Sequence, residues 1–100
     1  ARDSSGGQIQ KVTDDEIVEA YTMLARMEGV FCEPASAASV AGLIKTARSG
    51  ADMTGIKRIV CVLTGHGLKD PDMALANSPS PTVLPATYPE VEQHILKVIA

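Results

Sequence analysis

A short apolar run, residues 59–63, constrains the fold more than any other feature of the sequence. Its residues, Ile-Val-Cys-Val-Leu, lack polar alternation, which is typical of a strand covered on both faces of a parallel sheet. One other segment is strand-like, because residues 8–12, Gln-Ile-Gln-Lys-Val, alternate polar and apolar side chains. Since two strands alone do not make a covered parallel sheet, we predict an α/β fold, mainly parallel sheet flanked by helices, that is incomplete in this chain.

Local signals mark where the helices begin and end. Thr13 and Glu16 have the spacing of a capping box, in which each side chain satisfies a backbone N–H group of the other residue. Gly29 is a natural stop for this helix, and Pro34 fits the first turn of the next one. The predicted helices cover residues 14–28, 34–48, 71–77 and the segment from residue 89 onward.

The composition is that of one small, soluble globular segment, residues 1–100. Hydrophobic residues make up 45% of the chain and charged residues 21%. The formal net charge of -3 disfavours binding to nucleic acid, and no apolar run approaches the roughly 18 residues that a membrane span needs. Cys32 and Cys61 are too few for a disulfide scaffold, so we expect buried free thiols in a cytoplasmic protein.

Two common kinds of active site find no support in the sequence. His66 and His94 lie far apart and have no partner at the spacing of a metal site. No Gly-x-Ser-x-Gly motif marks a serine nucleophile. We therefore predict neither a metal site nor a Ser-His-Asp triad.

The first candidate site is the turn after the apolar run, residues 64–70, called the glycine turn below. In open α/β sheets, ligands bind beyond the carboxyl ends of the strands. Thr64 would stand at that end, and Gly65 and Gly67 would let a ligand or another backbone approach closely. The spacing matches neither the dinucleotide fingerprint nor the Walker loop, so a plain loop remains the alternative.

The second candidate site is residues 31–39, called the Glu33 segment below. It brings the carboxylate of Glu33 and the hydroxyls of Ser36 and Ser39 to the start of a predicted helix. Backbone N–H groups at such a helix start attract anions. The alternative is that Glu33 and Ser36 only cap the helix.

Both candidate segments resemble one enzyme family. The C-terminal region of bacterial threonine synthases is similar to residues 28–42, Glu-Gly-Val-Phe-Cys-Glu-Pro-Ala-Ser-Ala-Ala-Ser-Val-Ala-Gly, and to residues 62–71, Val-Leu-Thr-Gly-His-Gly-Leu-Lys-Asp-Pro. The Ser-Gly-Gly-Gln-Ile stretch at residues 5–9 also resembles that family. The resemblance covers residues 1 to about 75.

This resemblance implies a pyridoxal-phosphate enzyme of the tryptophan-synthase-β fold type, with this chain as the C-terminal part of the catalytic domain. The family converts O-phospho-L-homoserine and water to L-threonine and phosphate. By similarity, Thr64 bonds the pyridine nitrogen of the cofactor, while Glu33, Ser36 and Gly65 would line the pocket. The implied partners are the substrate, the remainder of the same enzyme and a second copy in a cytoplasmic homodimer.

The resemblance also implies that essential parts lie upstream of these residues. The family's Schiff-base lysine is expected there, because no lysine of this chain stands in its motif context. We therefore assign no catalytic residue within this segment and expect the chain alone to be inactive. Two other functions remain open: another enzyme of this fold type, such as a threonine dehydratase or a cysteine synthase, and a non-catalytic binding or interaction domain derived from one.

Overall fold

A computed structural model describes residues 1–100 and contains helices joined by long irregular segments. Five segments are α-helical, one forms a π-helical turn and two form 3₁₀ turns. In chain order the elements are α1 (Arg2–Ser5), α2 (Asp14–Met23), a π-helical turn (Leu24–Glu28), a 3₁₀ turn (Pro34–Ala37), α3 (Ala38–Arg48), a second 3₁₀ turn (Gly67–Lys69), α4 (Pro71–Ala76) and α5 (Tyr88–Ile99). None of these helices is both long and apolar enough to cross a membrane.

The predicted capping box at the start of α2 is confirmed. The Thr13 backbone N–H donates to the Glu16 carboxylate at 2.7 Å, and the Glu16 backbone N–H donates to Thr13 Oγ1 at 3.2 Å. The far end is confirmed as well, since Gly29 adopts a left-handed φ of 67° that favours glycine. The last turn before Gly29 is a π-helix, Leu24–Glu28. This wider turn was not predicted from the sequence.

The other predicted helices are confirmed with small changes at their ends. The predicted second helix begins as a 3₁₀ turn at Pro34 and becomes the α-helix α3 at Ala38. Asp70 caps α4 by accepting a hydrogen bond from the Met73 N–H at 3.0 Å. The last helix, α5, begins at Tyr88, one residue before the predicted start.

The core is small and lies where α2 packs on α3 and its preceding 3₁₀ turn. It consists of five buried residues, four of them small: Ala20, Tyr21, Cys32, Ala37 and Ala41. Small side chains let the two helices approach closely. The Cα radius of gyration is 18.5 Å, well above the roughly 13 Å of a compact domain of this length. Most of the apolar side chains after residue 55 therefore lie outside this core.

The predicted strands at residues 8–12 and 59–63 are not confirmed, and no parallel sheet forms within this chain. Both segments are irregular in the structure. Val60 is 86% exposed and Val62 65% exposed, although both were expected to be buried. The physical reason is that a strand exists only through its ladder of hydrogen bonds, and no second segment of the chain forms backbone hydrogen bonds with residues 59–63. The β-type pairing that does form is one antiparallel bridge between Cys32 and His66.

Two ion pairs join the exposed sides of α2 and α3. Lys45 Nζ lies 3.0 Å from Glu16 Oε1, and an Arg48 guanidinium nitrogen lies 2.6 Å from Glu19 Oε1. The pKa of Glu16 is lowered, first by the Thr13 backbone hydrogen bond and then by Lys45. The pKa of Glu19 is lowered by its hydrogen bond with Arg48. Because folding lowers both pKa values, these carboxylates stabilise the helix pair above their ordinary pKa and lose that contribution as the pH falls through the lowered values.

We expect Lys45→Met to raise the pKa of Glu16 without restoring its ordinary value, because the bond from Thr13 remains. The measurement is a ¹³C NMR titration of the Glu16 carboxyl group in the full-length protein. Lys97→Met on α5 is the control, since Lys97 forms no ion pair with Glu16. A Glu16 pKa that is the same in both variants would contradict the assigned ion pair.

Candidate functional site

The two candidate segments lie side by side, although about thirty residues separate them in the sequence. The Glu33 N–H donates to the Gly65 carbonyl at 2.8 Å, and the Gly67 N–H donates to the Phe31 carbonyl at 3.1 Å. These two bonds flank the antiparallel bridge described above. The Glu33 segment and the glycine turn therefore form one site, held together by backbone hydrogen bonds rather than by side chains alone.

Ser36 links the two segments at the centre of this site. Its Oγ accepts a hydrogen bond from the Gly65 N–H at 2.7 Å and lies 3.1 Å from Thr64 Oγ1. Ser36 is only 6% exposed, whereas Thr64 is exposed. A buried hydroxyl thus supports an exposed one, and the exposed hydroxyl of Thr64 is the group available to a ligand.

Glu33 lies against the backbone of the glycine turn. A Cβ atom on Gly65 would come within 2.8 Å of Glu33 Cβ and would overlap the carboxylate, so this close approach requires glycine. The Glu33 side chain is half-buried and makes no capping bond to the helix that follows. The alternative that Glu33 and Ser36 only cap the helix is therefore wrong, because their side chains contact the glycine turn instead.

Sequence reasoning missed the ion pair that closes this site. Lys69 Nζ lies 3.6 Å from Glu33 Oε2, and both side chains are partly exposed to solvent. The sequence does contain a signal for this pair, because the Glu33 segment carries a negative charge and the glycine turn carries the positive charge of Lys69. This pair places a positive charge next to the Glu33 carboxylate.

The remaining contacts of the glycine turn are structural. A Cβ atom on Gly67 would overlap the Phe31 ring, and that ring meets His66 edge-on with a centroid distance of 5.5 Å. His66 Nδ1 accepts a hydrogen bond from the Leu68 N–H at 3.2 Å. Glycine is therefore needed at both positions, 65 because of Glu33 and 67 because of Phe31. A plain loop would not require glycine at these two positions. No three His, Cys, Asp or Glu side chains lie close enough to hold a metal ion.

Cys32 is not placed to act as a nucleophile. Both cysteines are free, with Cys32 buried and Cys61 only half-buried. Burial raises the pKa of the Cys32 thiol, which lowers the fraction of reactive thiolate. The expectation of free thiols is confirmed, and that of burial is confirmed for Cys32 alone.

Comparison with known proteins identifies the family of this site. The family model described as "Pyridoxal-phosphate dependent enzyme" matches residues 1–65, which include the Glu33 segment, Thr64 and Gly65. The chain belongs to the pyridoxal-phosphate dependent enzymes. The matched range ends inside the glycine turn, so this family's sequence pattern extends across most of the site.

Relatives of this pyridoxal-phosphate dependent enzyme carry the name threonine synthase. That of Methanocaldococcus jannaschii is 51% identical over 96 residues, covering 96% of this chain and 22% of the relative. That of Halalkalibacterium halodurans is 52% identical over 92 residues, covering 92% and 25%. That of a Synechocystis species is 60% identical over 74 residues, covering 74% and 19%. The chain thus spans a quarter or less of the length of these relatives. The match to the first of them extends past residue 75.

Proposed function

We propose that this chain is the C-terminal part of the catalytic domain of a threonine synthase that converts O-phospho-L-homoserine and water to L-threonine and phosphate. The observation that carries the proposal is the meeting of Thr64, Gly65, Glu33 and Ser36 in one site. Its support from comparison is the name shared by relatives about half identical to this chain. This chain matches only 22% and 25% of the length of those relatives, so the reaction belongs to the full-length enzyme.

Thr64 would bind the pyridine nitrogen of pyridoxal phosphate in this enzyme. When bound, the cofactor acts as an electron sink during the reaction. The fit rests on the chemistry of the donor set, because an exposed neutral hydroxyl suits a ring nitrogen that accepts a hydrogen bond. A hydroxyl, unlike a carboxylate, does not hold that nitrogen protonated.

Glu33, Ser36 and Gly65 would form the wall of the pocket beside Thr64. Ser36 supports Thr64 from the buried side, and the missing Cβ of Gly65 leaves room for Glu33. We assign none of the three a chemical step. The lysine that carries the cofactor would come from the remainder of the enzyme, because no lysine of this chain stands in the family's motif context. Lys69, which lies at this site, is paired with Glu33.

The exposed apolar run at residues 59–63 would become a strand of a parallel sheet in the full-length enzyme. Its lack of backbone-to-backbone hydrogen bonds and its exposed valines are consistent with strand partners supplied by the remainder of the same protein. A cytoplasmic homodimer would complete the assembly. The oligomeric state is checked by the molar mass of the full-length enzyme in solution.

Activity of the full-length enzyme tests the proposed reaction. We expect equal amounts of phosphate and L-threonine from O-phospho-L-homoserine. Phosphate release and threonine formation are measured together. In separate assays, L-threonine and O-acetyl-L-serine each replace O-phospho-L-homoserine as the substrate. Turnover of L-threonine to an oxo acid would instead indicate a dehydratase, and turnover of O-acetyl-L-serine would indicate a cysteine synthase.

We expect the isolated 100-residue chain to retain no pyridoxal phosphate and to unfold without a sharp transition. Only 8 of its 100 residues are buried, which leaves little cooperative packing, and residues 59–63 expose unpaired backbone groups that invite association. The measurements are the absorbance spectrum after dialysis against excess cofactor and a thermal unfolding curve. A stable band of bound cofactor, or cooperative unfolding of a monomer, would overturn this expectation.

A further inference from the structure

We infer that Ser36 is a positioning residue that fixes the direction of the Thr64 hydroxyl, so that Thr64 donates its hydrogen outward to the ligand. The inference rests on the proposed function, because it concerns how Thr64 meets a ring nitrogen. It assigns to Ser36 a role beyond lining the pocket. Three consecutive groups form the hydrogen-bond chain, namely the Gly65 N–H, Ser36 Oγ and Thr64 Oγ1.

The first step is fixed by the backbone. The Gly65 N–H can only donate, so Ser36 Oγ accepts at 2.7 Å. Ser36 Oγ therefore uses one acceptor position on the backbone and keeps its own hydrogen for another partner. The contact within reach is Thr64 Oγ1 at 3.1 Å.

The second step follows from the difference in exposure between the two hydroxyls. Ser36 is 6% exposed, and a buried hydroxyl hydrogen without a partner costs about 1–3 kcal/mol. Thr64 is exposed, so its hydrogen can be satisfied by water or by a ligand. The arrangement in which Ser36 donates to Thr64 satisfies every buried group, whereas the reverse leaves the Ser36 hydrogen unpaired.

The third step is the consequence for the ligand. With Ser36 donating, Thr64 Oγ1 is an acceptor on its buried side, and its own O–H is free to point outward. A ring nitrogen that accepts a hydrogen bond then meets a donor that is already oriented. Hydrogen bonds in a chain also polarise one another, so the backbone N–H of Gly65 strengthens the donor presented by Thr64.

The test uses the full-length enzyme loaded with pyridoxal phosphate labelled with ¹⁵N in the ring. The variants are Ser36→Ala, Thr64→Val and the double variant, with Thr46→Val as control. Thr46 carries a half-buried hydroxyl that donates to the Gly42 carbonyl at 2.8 Å, remote from Thr64. The measurements are the ¹⁵N chemical shift of the ring nitrogen, the cofactor dissociation constant and the thermal midpoint of the apoenzyme.

We expect Ser36→Ala to move the ¹⁵N shift in the same direction as Thr64→Val and to weaken cofactor binding by about 2- to 13-fold, the range for one neutral hydrogen bond. The double variant should bind no more weakly than Thr64→Val alone, because Ser36 acts through Thr64. The control should leave the ¹⁵N shift unchanged. A role confined to stability would lower the thermal midpoint without moving the ring nitrogen.

Three results would overturn the inference. An unchanged ¹⁵N shift in Ser36→Ala, with a changed shift in Thr64→Val, would reject it and leave the proposed role of Thr64 intact. Additive losses of affinity in the double variant would also reject it. An unchanged shift in Thr64→Val would reject both the inference and the proposed cofactor contact. If Ser36→Ala does not fold, Ser36→Cys supplies a weaker donor of similar size, and an unaltered shift there counts equally against the inference.

Discussion

Replacement of Thr64 by valine should reduce turnover of O-phospho-L-homoserine by the full-length enzyme more than it reduces cofactor binding. Valine keeps the shape of the side chain and removes the hydroxyl. Loss of one neutral hydrogen bond is worth about 0.5–1.5 kcal/mol, so we expect cofactor affinity to fall by about 2- to 13-fold. Turnover should fall further, because the electronic properties of the ring change in every step that uses it as an electron sink.

The matched variants separate the hydroxyl from the shape of the residue. Thr64→Ser keeps the hydroxyl and should be nearly silent, while Thr64→Asp should favour a protonated ring and increase side reactions. Turnover and cofactor retention are measured for all three variants under the same conditions. If Thr64→Val equals the parent enzyme in both, Thr64 is only a turn residue and the site assignment is wrong.

Replacement of Gly65 by alanine should separate the two segments that form the site. The new Cβ would lie 2.8 Å from Glu33 Cβ and would overlap the Glu33 carboxylate. Relief of that overlap stretches the 2.8 Å bond from the Glu33 N–H to the Gly65 carbonyl and the bond that Ser36 Oγ accepts. Overpacking of this kind costs about 1–3 kcal/mol of folding stability, so we expect a lower thermal midpoint. Because the bond between Gly65 and Ser36 is stretched as well, we also expect weaker cofactor retention.

Gly42→Ala is the matched control for this change. Gly42 lies inside α3, and a Cβ atom there would meet no other atom within 4 Å. Alanine in a helix interior is favoured over glycine by about 0.5–1 kcal/mol, so this variant should be neutral or slightly stabilising. Cofactor retention and thermal midpoints are compared for both variants. Equal cofactor retention and equal thermal midpoints in the two alanine variants would show that the close approach of Glu33 to Gly65 is not needed for cofactor binding or for stability.

The helices were predictable because their signals are local. The capping box of Thr13 and Glu16, the positive φ of Gly29 and the cap at Asp70 each depend on residues within one or two turns. Such signals act whatever the rest of the chain does. The helix α5 also forms, although its apolar side chains, among them Ile95 and Val98, are exposed rather than packed.

The strands were not predictable from the same kind of reasoning. The apolar run at residues 59–63 has the composition of a buried strand, but a strand also needs a partner in hydrogen-bonding register. That requirement is tertiary, and nothing within the run reports whether a partner is present. Its exposed valines show that composition alone sets neither pairing nor burial.

The site was partly predictable. Thr64, Gly65, Glu33 and Ser36 were chosen from two separate segments, and the structure brings all four together. Their pairing through backbone bonds and the ion pair between Lys69 and Glu33 were not foreseen. Both depend on how the chain folds back on itself across about thirty residues.

The central claim is that Thr64 of this segment holds the ring nitrogen of pyridoxal phosphate in the full-length enzyme. A crystal structure of that enzyme with its cofactor tests the claim most directly. We expect Thr64 Oγ1 to lie about 3 Å from the ring nitrogen, at hydrogen-bond distance, with Ser36 Oγ still bonded to Thr64. A ring nitrogen more than roughly 4 Å from Thr64 Oγ1, or bonded to a different side chain, would contradict the account.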